Sequence, residues 1–249
     1  MSELHVEKTP KAASDPDETN RWMTQYHELA QLAGSLAHEI KNPLSVIRMN
    51  MDLLAEDLAE AETQRERRAR TKVDTVHGQC TRLENLLNDF LRFARLRRLD
   101  LAAGSLNEQV ESVLRFFEPQ ANDQKIRILP HLDRELPSIL LDRETLHAAL
   151  LNLVKNALEA MPNGGDLTVI TRITRNGVAL DLIDTGGGMD ERTALHMFDA
   201  FYSTKDGGSG LGLPTARKII EAHGGRIGVQ SDVGRGTKFT LEFPTPRRL

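Results

Sequence analysis

The sequence lacks the features that mark several large classes of protein. It has one cysteine, Cys80, in 249 residues, which excludes an internal disulfide framework. No apolar run approaches the roughly 18–20 residues of a membrane-spanning helix, and the polar N-terminus lacks the apolar core of a signal peptide. The net charge of −4 gives no general attraction to nucleic acid. We therefore expect a cytoplasmic protein with no membrane span and no nucleic-acid partner.

Residues 35–44, Ser-Leu-Ala-His-Glu-Ile-Lys-Asn-Pro-Leu, combine a helical pattern with reactive groups. His38 lies beside Glu39 and one helical turn before Asn42, and Pro43 removes one backbone hydrogen bond of the helix. An imidazole next to a carboxylate at a helix defect can form a reactive site. A solvated histidine on a charged helix face is the alternative. The surrounding apolar residues recur mostly every three or four positions, at Leu29, Leu32, Leu36, Ile40, Ile47, Met51, Leu54 and Leu58.

Two long helices are predicted in the first part of the chain. The first runs from Trp22 to Ala61, and residues 62–72 form a polar, solvated connection or extend one of the helices. Two such helices predict an antiparallel hairpin, and two hairpins would bury their apolar stripes in a dimeric four-helix bundle. The second helix has a heptad pattern that includes a buried Cys80, at Val73, Val76, Cys80, Leu83, Leu87, Phe90 and Ala94.

The rest of the chain predicts a separate domain. Residues 1–21 have the composition of a disordered tail, 22–99 form the hairpin, 100–104 form a linker, and 105–246 alternate between helical and strand patterns. The order αβ-αββ-α-α-ββ predicts one mixed sheet with helices on one face, an α/β sandwich. The fold class is therefore α+β with two domains.

One predicted helix of this second domain carries a polar face. Asn152, Lys155, Asn156 and Glu159 follow one another at i, i+3, i+4 and i+7, so they share a face. Two amides and a lysine on one face can bind phosphate oxygens and an oxygen-seeking Mg²⁺. A plain solvated face explains the pattern equally well.

Two glycine-rich segments flank a third segment. Asp184 ends a predicted strand and leads into Gly186–Gly188, where a carboxylate can accept from an amine and glycines let backbone approach a ligand ring. Residues 207–213 form a glycine-rich loop that opens a helix, an anion-binding arrangement without the Walker pattern. Residues 198–205 lie between them and predict a mobile lid with aromatic anchors at Phe198 and Phe201.

These motifs together resemble the sensor histidine kinases of two-component systems, over about residues 28–246. Their nearest likeness is to kinases of the nitrogen-regulation type. The resemblance implies a dimeric four-helix phosphoacceptor domain followed by an ATP-binding domain of the Bergerat type, shared with gyrase, Hsp90 and MutL. Five segments carry it in the family's order: the H box Ser35–Leu44, the N box Asn152–Ala160, the G1 box Asp184–Met189, the F box Phe198–Lys205 and the G2 box Gly208–Leu213.

The resemblance also implies roles for single residues. His38 would accept the γ-phosphoryl group, Glu39 would act as its base, and Asn42 would help to orient water for dephosphorylation of a partner. Asn42 could instead bond the backbone carbonyls that Pro43 loosens. The positions expected to bind nucleotide are Asn152, Lys155, Asn156 (also the Mg²⁺ ligand), Asp184 (facing the adenine amine), Gly186, Gly188, Thr204, Lys205, Gly208, Gly210, Leu211, Gly212 and Thr237.

The function implied is that of an ATP-dependent protein histidine kinase with ATP and Mg²⁺ as cofactors. It would autophosphorylate His38, pass the phosphoryl group to an aspartate of a separate response regulator, and act as that regulator's phosphatase. The partners expected are the regulator's receiver domain, a second copy of the chain, and a separate sensor protein. A Bergerat-fold ATPase and a non-catalytic dimeric scaffold are the alternatives.

Overall fold

The computed structural model describes residues 39–94, 99–205 and 208–245, without the side chain of Arg92. His38 and the predicted N-terminal tail lie outside these residues. The chain divides into two compact units, Met1–Arg95 and Leu96–Leu249. Within the described ranges, no helix combines the length and the apolar character needed to cross a membrane.

The first unit is the predicted helical hairpin. Its first helix, α1, covers 39–57, so it ends at residue 57 rather than 61. The second helix, α2, spans Gln64–Ala94. The two helices are joined near the turn by Arg70, whose Nη1 donates to the backbone carbonyl of Leu58 at 3.0 Å. A second bond from the same atom, to the carbonyl of Ala59 at 2.9 Å, closes the end of α1.

The polar segment 62–72 is mostly helix, so it extends the second helix, which is the alternative that the sequence left open beside a solvated connection. A capping box starts α2 at this point. Thr63 Oγ1 accepts from the backbone N–H of Glu66 at 3.2 Å, and the Glu66 carboxylate accepts from the backbone N–H of Thr63 at 2.9 Å. Because the cap satisfies the first free N–H groups of the helix, α2 begins as soon as the chain has turned.

The hairpin buries only part of its apolar surface. Leu44 and Cys80 are buried. The burial of Cys80 agrees with the structural role expected for this cysteine. Many large apolar side chains on both helices remain 40–58% exposed, and we call this surface the hairpin apolar face: Ile40, Val46, Ile47, Met49, Leu53, Leu54, Val76 and Leu83.

The second unit is the predicted α/β sandwich. Its elements are β1 Ala102–Gly104, α3 Leu106–Asp123, β2 Ile126–His131, β3 Ile139–Leu141, α4 Arg143–Glu159, β4 Gly165–Thr174, β5 Gly177–Asp184, α5 Glu191–His196, α6 Gly212–Ala222, β6 Arg226–Asp232 and β7 Gly236–Pro244. Five of the strands form the main sheet in the order β2-β4-β5-β7-β6, with β2 and β4 parallel and the other pairs antiparallel.

The core lies between one face of this sheet and the helices α3, α4 and α6. In β5, Val178, Leu180 and Leu182 belong to the buried core with residues of these helices. Asp181 lies at an odd position of the same strand and therefore points to the opposite face. This alternation confirms that the helices cover a single face of the sheet.

The segment 100–104, predicted as a linker, is instead part of the second unit. Strand β1 pairs antiparallel with β3, with Ala102 opposite Leu141. Just before β1, the backbone N–H of Asp100 donates to the carboxylate of Asp142 at 3.0 Å. The second unit is thus ordered from Asp100 onward, ahead of the predicted boundary.

Candidate functional site

Asp184 forms the buried end of the candidate site. The residue is 4% exposed, and its Oδ1 accepts from the backbone N–H groups of Gly186 at 2.9 Å and Thr237 at 3.2 Å. Neither bond uses Oδ2, and no other group of the described residues donates to it. Burial raises the pKa of Asp184 above its ordinary value, although these two hydrogen bonds and the charge of Lys205 act in the opposite direction.

Thr237 lies beside Asp184. The two residues are partners in the antiparallel pairing of β5 with β7. The hydroxyl of Thr237 shares a 2.9 Å hydrogen bond with Ser231 Oγ, which also accepts from the backbone N–H of Met189 at 2.8 Å. Ser231 was not anticipated; it fixes the end of the G1 box against the β6–β7 hairpin.

The glycines of the G1 box are required by packing within the protein. A Cβ on Gly186 would lie 2.6 Å from the carbonyl oxygen of Ala160 at the end of α4. Gly188 has a φ of +64°, and a Cβ there would overlap the carbonyl of Asp232. The backbone N–H of Gly187 donates to the Ala160 carbonyl at 3.2 Å. The G1 box therefore meets the C-terminal end of α4, which adds a second reason for glycine besides close approach to a ligand.

The polar residues of α4 lie on one face of the helix, as their spacing predicts. Asn156 Oδ1 accepts a hydrogen bond from Lys205 Nζ at 2.9 Å. The same ammonium lies 2.5 Å from Glu159 Oε2, and Lys155 Nζ lies 3.7 Å from Glu159 Oε1. Glu159 was placed on this face by its spacing but was given no role in binding. It is the carboxylate that both lysines share.

The start of α6 adjoins this face. A Cβ on Gly212 would lie 3.6 Å from Asn152 Oδ1 and 4.0 Å from Asn156 Nδ2, so the first turn of α6 meets both amides. Leu211 is 1% exposed, and its carbonyl accepts from the Thr215 hydroxyl at 2.6 Å. Because the Leu211 side chain is buried in the protein, only its backbone can reach a ligand.

The G2 box and the F box are joined through their backbones. Gly210, with a φ of +65°, accepts from the backbone N–H of Phe201 at 3.1 Å. The backbone N–H of Gly208 donates to the carbonyl of Lys205 at 3.2 Å. Thr204, the remaining expected residue of this segment, is exposed. The two boxes therefore form one loop structure over the polar face of α4.

Comparison with known proteins agrees with this geometry. Residues 28–99 match the family model of the His Kinase A (phospho-acceptor) domain, and residues 141–247 match that of the histidine kinase-, DNA gyrase B- and HSP90-like ATPases. The nucleotide-free catalytic domain of histidine kinase ThkA is 31% identical, with a TM-score of 0.55, over 59% of this chain and 100% of that domain. The chain belongs to the histidine kinases.

Longer proteins are similar over more of the chain. Full-length ShkA, solved in complex with AMPPNP, is 30% identical with a TM-score of 0.69, over 87% of this chain and 46% of ShkA. Sporulation kinase E of Bacillus subtilis is 29% identical over 97% of this chain and 32% of its own length. The chain spans between 32% and 49% of the length of the curated relatives it matches.

The F box of this histidine kinase has one aromatic anchor rather than two. Phe198 packs against the core, and its ring centroid lies 5.3 Å from the guanidinium carbon of Arg217. Phe201 is 66% exposed and has a φ of +67°, so its prediction as an anchor is wrong. Tyr202 is half-buried instead, and its hydroxyl donates to Thr193 Oγ1 at 3.4 Å.

The H box of the kinase is described from Glu39 onward. Glu39 and Asn42 are exposed residues of α1, and the helix continues through Pro43. His38 and the three residues before it lie outside the described residues. The H box belongs to the first unit, and the positions expected to bind nucleotide belong to the second.

Proposed function

We propose that this chain is an ATP-dependent protein histidine kinase that autophosphorylates His38 and transfers the phosphoryl group to an aspartate of a separate response regulator. The proposal rests on two groups of residues that lie near the C-terminal end of α4. One is the buried acceptor Asp184, and the other is the amide and carboxylate face of α4. A family member with this site and an H box has the parts that the reaction needs.

Adenine recognition is assigned to Asp184. Its Oδ2 would accept from the exocyclic amine, while the bonds to Gly186 and Thr237 hold the carboxylate in place. Because the carboxylate is nearly excluded from water, a ligand that offers the matching donor gains more there than at an exposed site. The Thr237 hydroxyl supplies a second polar group beside the ring.

Phosphate and metal binding are assigned to the polar face of α4, the F box and the G2 box. Asn156 would hold Mg²⁺ through Oδ1, with Asn152 and Lys155 nearby, and amide oxygens are ligands that Mg²⁺ accepts. Among the residues described, no three His, Cys, Asp or Glu side chains are grouped to hold a metal by themselves. A metal here would therefore also use the phosphate oxygens, whose charge Mg²⁺ neutralises when bound.

The phosphoryl transfer would take place at the H box. The bond between the γ-phosphorus and its bridging oxygen breaks, a bond to the His38 imidazole nitrogen forms, and ADP leaves. Glu39 would take the proton that the imidazole releases. Asn42, exposed one turn further along α1, would orient water against the phospho-aspartate of the regulator, because an amide both donates and accepts but cannot take the phosphoryl group.

The hairpin apolar face supports a homodimer. Two hairpins that pack face to face would bury these side chains in a four-helix bundle. We assign dimerisation and phosphotransfer to residues 22–99 and ATP binding to the unit that follows. Residues 100–104 belong to that second unit.

Labelling with γ-labelled ATP tests the proposal. Wild-type protein should acquire an acid-labile, base-stable label, and His38→Gln should lose it while its ATP affinity stays within a few-fold. His77→Gln is the matched control, since His77 is a surface histidine of α2 that lies 3.1 Å from Asp52; it should keep the label. Label that persists in His38→Gln would move the acceptor, and ATP hydrolysis without any label would indicate an ATPase instead.

A further inference from the structure

One basic side chain occupies the oxygen face to which we assigned the metal. Lys205 comes from the F box, 49 residues along the chain from Asn156, and donates to its Oδ1 at 2.9 Å. It also donates to Glu159 Oε2 at 2.5 Å. Lys155 reaches only the other oxygen of that carboxylate, at 3.7 Å. A single ammonium therefore holds both the amide and the carboxylate of this face.

This contact and a metal ion exclude each other. Asn156 Oδ1 is the oxygen that would bind Mg²⁺, and in the structure it accepts a hydrogen from a cation. Two cations on one oxygen would repel each other strongly, because they would lie within the Debye length, where dissolved salt screens their charges only weakly. Lys205 must leave Asn156 before a metal can bind there.

We propose that Lys205 is an exchangeable internal cation of the nucleotide site. In the nucleotide-free protein its ammonium neutralises Glu159, covers Asn156 and holds the F box on α4. It leaves Asn156 and Glu159 when a metal–nucleotide complex binds, and this exchange frees the F box to contact the phosphates. The inference rests on the proposed function, because it takes Asn156 as the metal ligand.

The exposure of the contact sets the size of the expected effect. The side chains of Lys205 and Glu159 are 43% and 34% exposed, so solvent screens their attraction. A partly exposed ion pair with one added hydrogen bond changes an equilibrium by about 3- to 10-fold. The contact is therefore strong enough to be measured and weak enough to be displaced by a bound nucleotide.

Hydrogen exchange in the nucleotide-free chain, residues 1–249, tests the contact itself. Lys205→Met removes the ammonium and keeps most of the aliphatic stem, and it should raise the exchange of peptides from residues 198–205 by about 3- to 10-fold. Glu159→Gln should have the same effect. Lys155→Met removes the other lysine of Glu159 and should leave this exchange unchanged. Equal exchange in wild type and Lys205→Met, or an equal rise in Lys155→Met, would overturn the proposal.

A magnesium titration tests the exchange of cations. Calorimetry with ADP, which lacks the γ-phosphate, gives the free Mg²⁺ concentration that half-maximally enhances ADP binding. Lys205→Met should lower this concentration by about 3- to 10-fold, because the competing ammonium is gone. An unchanged concentration in a variant that binds ADP would overturn this inference alone. Wild-type protein that binds no nucleotide with Mg²⁺ would overturn the proposed function instead.

Discussion

Replacement of Asp184 by Asn should weaken nucleotide binding without lowering the stability of the fold. The amide oxygen of Asn can keep both hydrogen bonds that Oδ1 accepts, from Gly186 and Thr237. The other position becomes an NH₂ group, which would face the donor amine of adenine. An unpaired polar group at a buried site costs about 1–3 kcal/mol, which is about 5- to 150-fold in affinity. Because burial raises the pKa of Asp184, loss of its charge removes an unfavourable contribution to folding.

Asp181 provides a matched control in the same strand. It is also buried, but it lies on the opposite face of the sheet, where it accepts from Thr240 Oγ1 at 2.7 Å and lies 3.3 Å from Arg172 and Lys238. Asp181→Asn should cost about 1–3 kcal/mol of stability and keep the affinity. Titration calorimetry with Mg²⁺ and ADP, together with thermal unfolding, separates the two effects. Normal nucleotide binding by Asp184→Asn would refute the placement of adenine against this carboxylate.

Two further predictions concern ionisation and helix capping. Nucleotide affinity of the wild type should fall as the pH falls through the raised pKa of Asp184, because a protonated carboxyl is no longer a free acceptor; Asp184→Asn should lack this part of the pH dependence. Asp142→Ala should lower the free energy of unfolding by about 1–2 kcal/mol in a denaturant titration, since its carboxylate caps α4 at the N–H of Thr145, whereas Asp142→Asn should stay within a few tenths. Burial alone would raise the pKa of Asp142, but hydrogen bonds from the N–H groups of Thr145 and Asp100 hold this pKa below its ordinary value of 3.8. The stabilisation by the charged cap is therefore present above pH 3.8 and is lost as the pH falls through the lowered pKa.

Elements with strong local signals could be predicted from the sequence. Asp142 followed by an acidic first turn is a sequence pattern that predicts the start of a helix, and in the structure Asp142 is the N-cap of α4. Asn176-Gly177 is a sequence pattern that predicts a hairpin turn, and β4 and β5 pair from Thr174 and Gly177 onward. In both cases the residues that fix the backbone lie within a few positions of one another, so a local pattern was sufficient.

Elements that depend on distant partners were missed. Strands β1 and β3 have three residues each, too few to show an alternating pattern, and each is stabilised by pairing with the other across more than thirty residues. The sequence also left open whether 62–72 connects the two helices or extends one of them, although Thr63 and Glu66 have the spacing of a capping box. The charged composition of 62–72 favoured a connection, but the cap satisfied the helix terminus there.

The F box is a part of the site whose conformation could not be predicted from the sequence. The sequence predicts Phe201 as an aromatic anchor of a mobile lid, but the bond from its N–H to the carbonyl of Gly210 accompanies a left-handed backbone, and the ring is exposed.

Lys205 has no helical spacing that relates it to Asn156, and only the path of the F box and the G2 box brings its ammonium to the oxygen face of α4. The spacing of Asn152, Asn156 and Glu159 predicts which oxygens share a face but cannot identify the cation that neutralises them. An empty oxygen site with a free carboxylate would attract any available cation. A lysine supplied by the chain itself satisfies the site without fixing it permanently, because an exposed ammonium can be displaced at small cost.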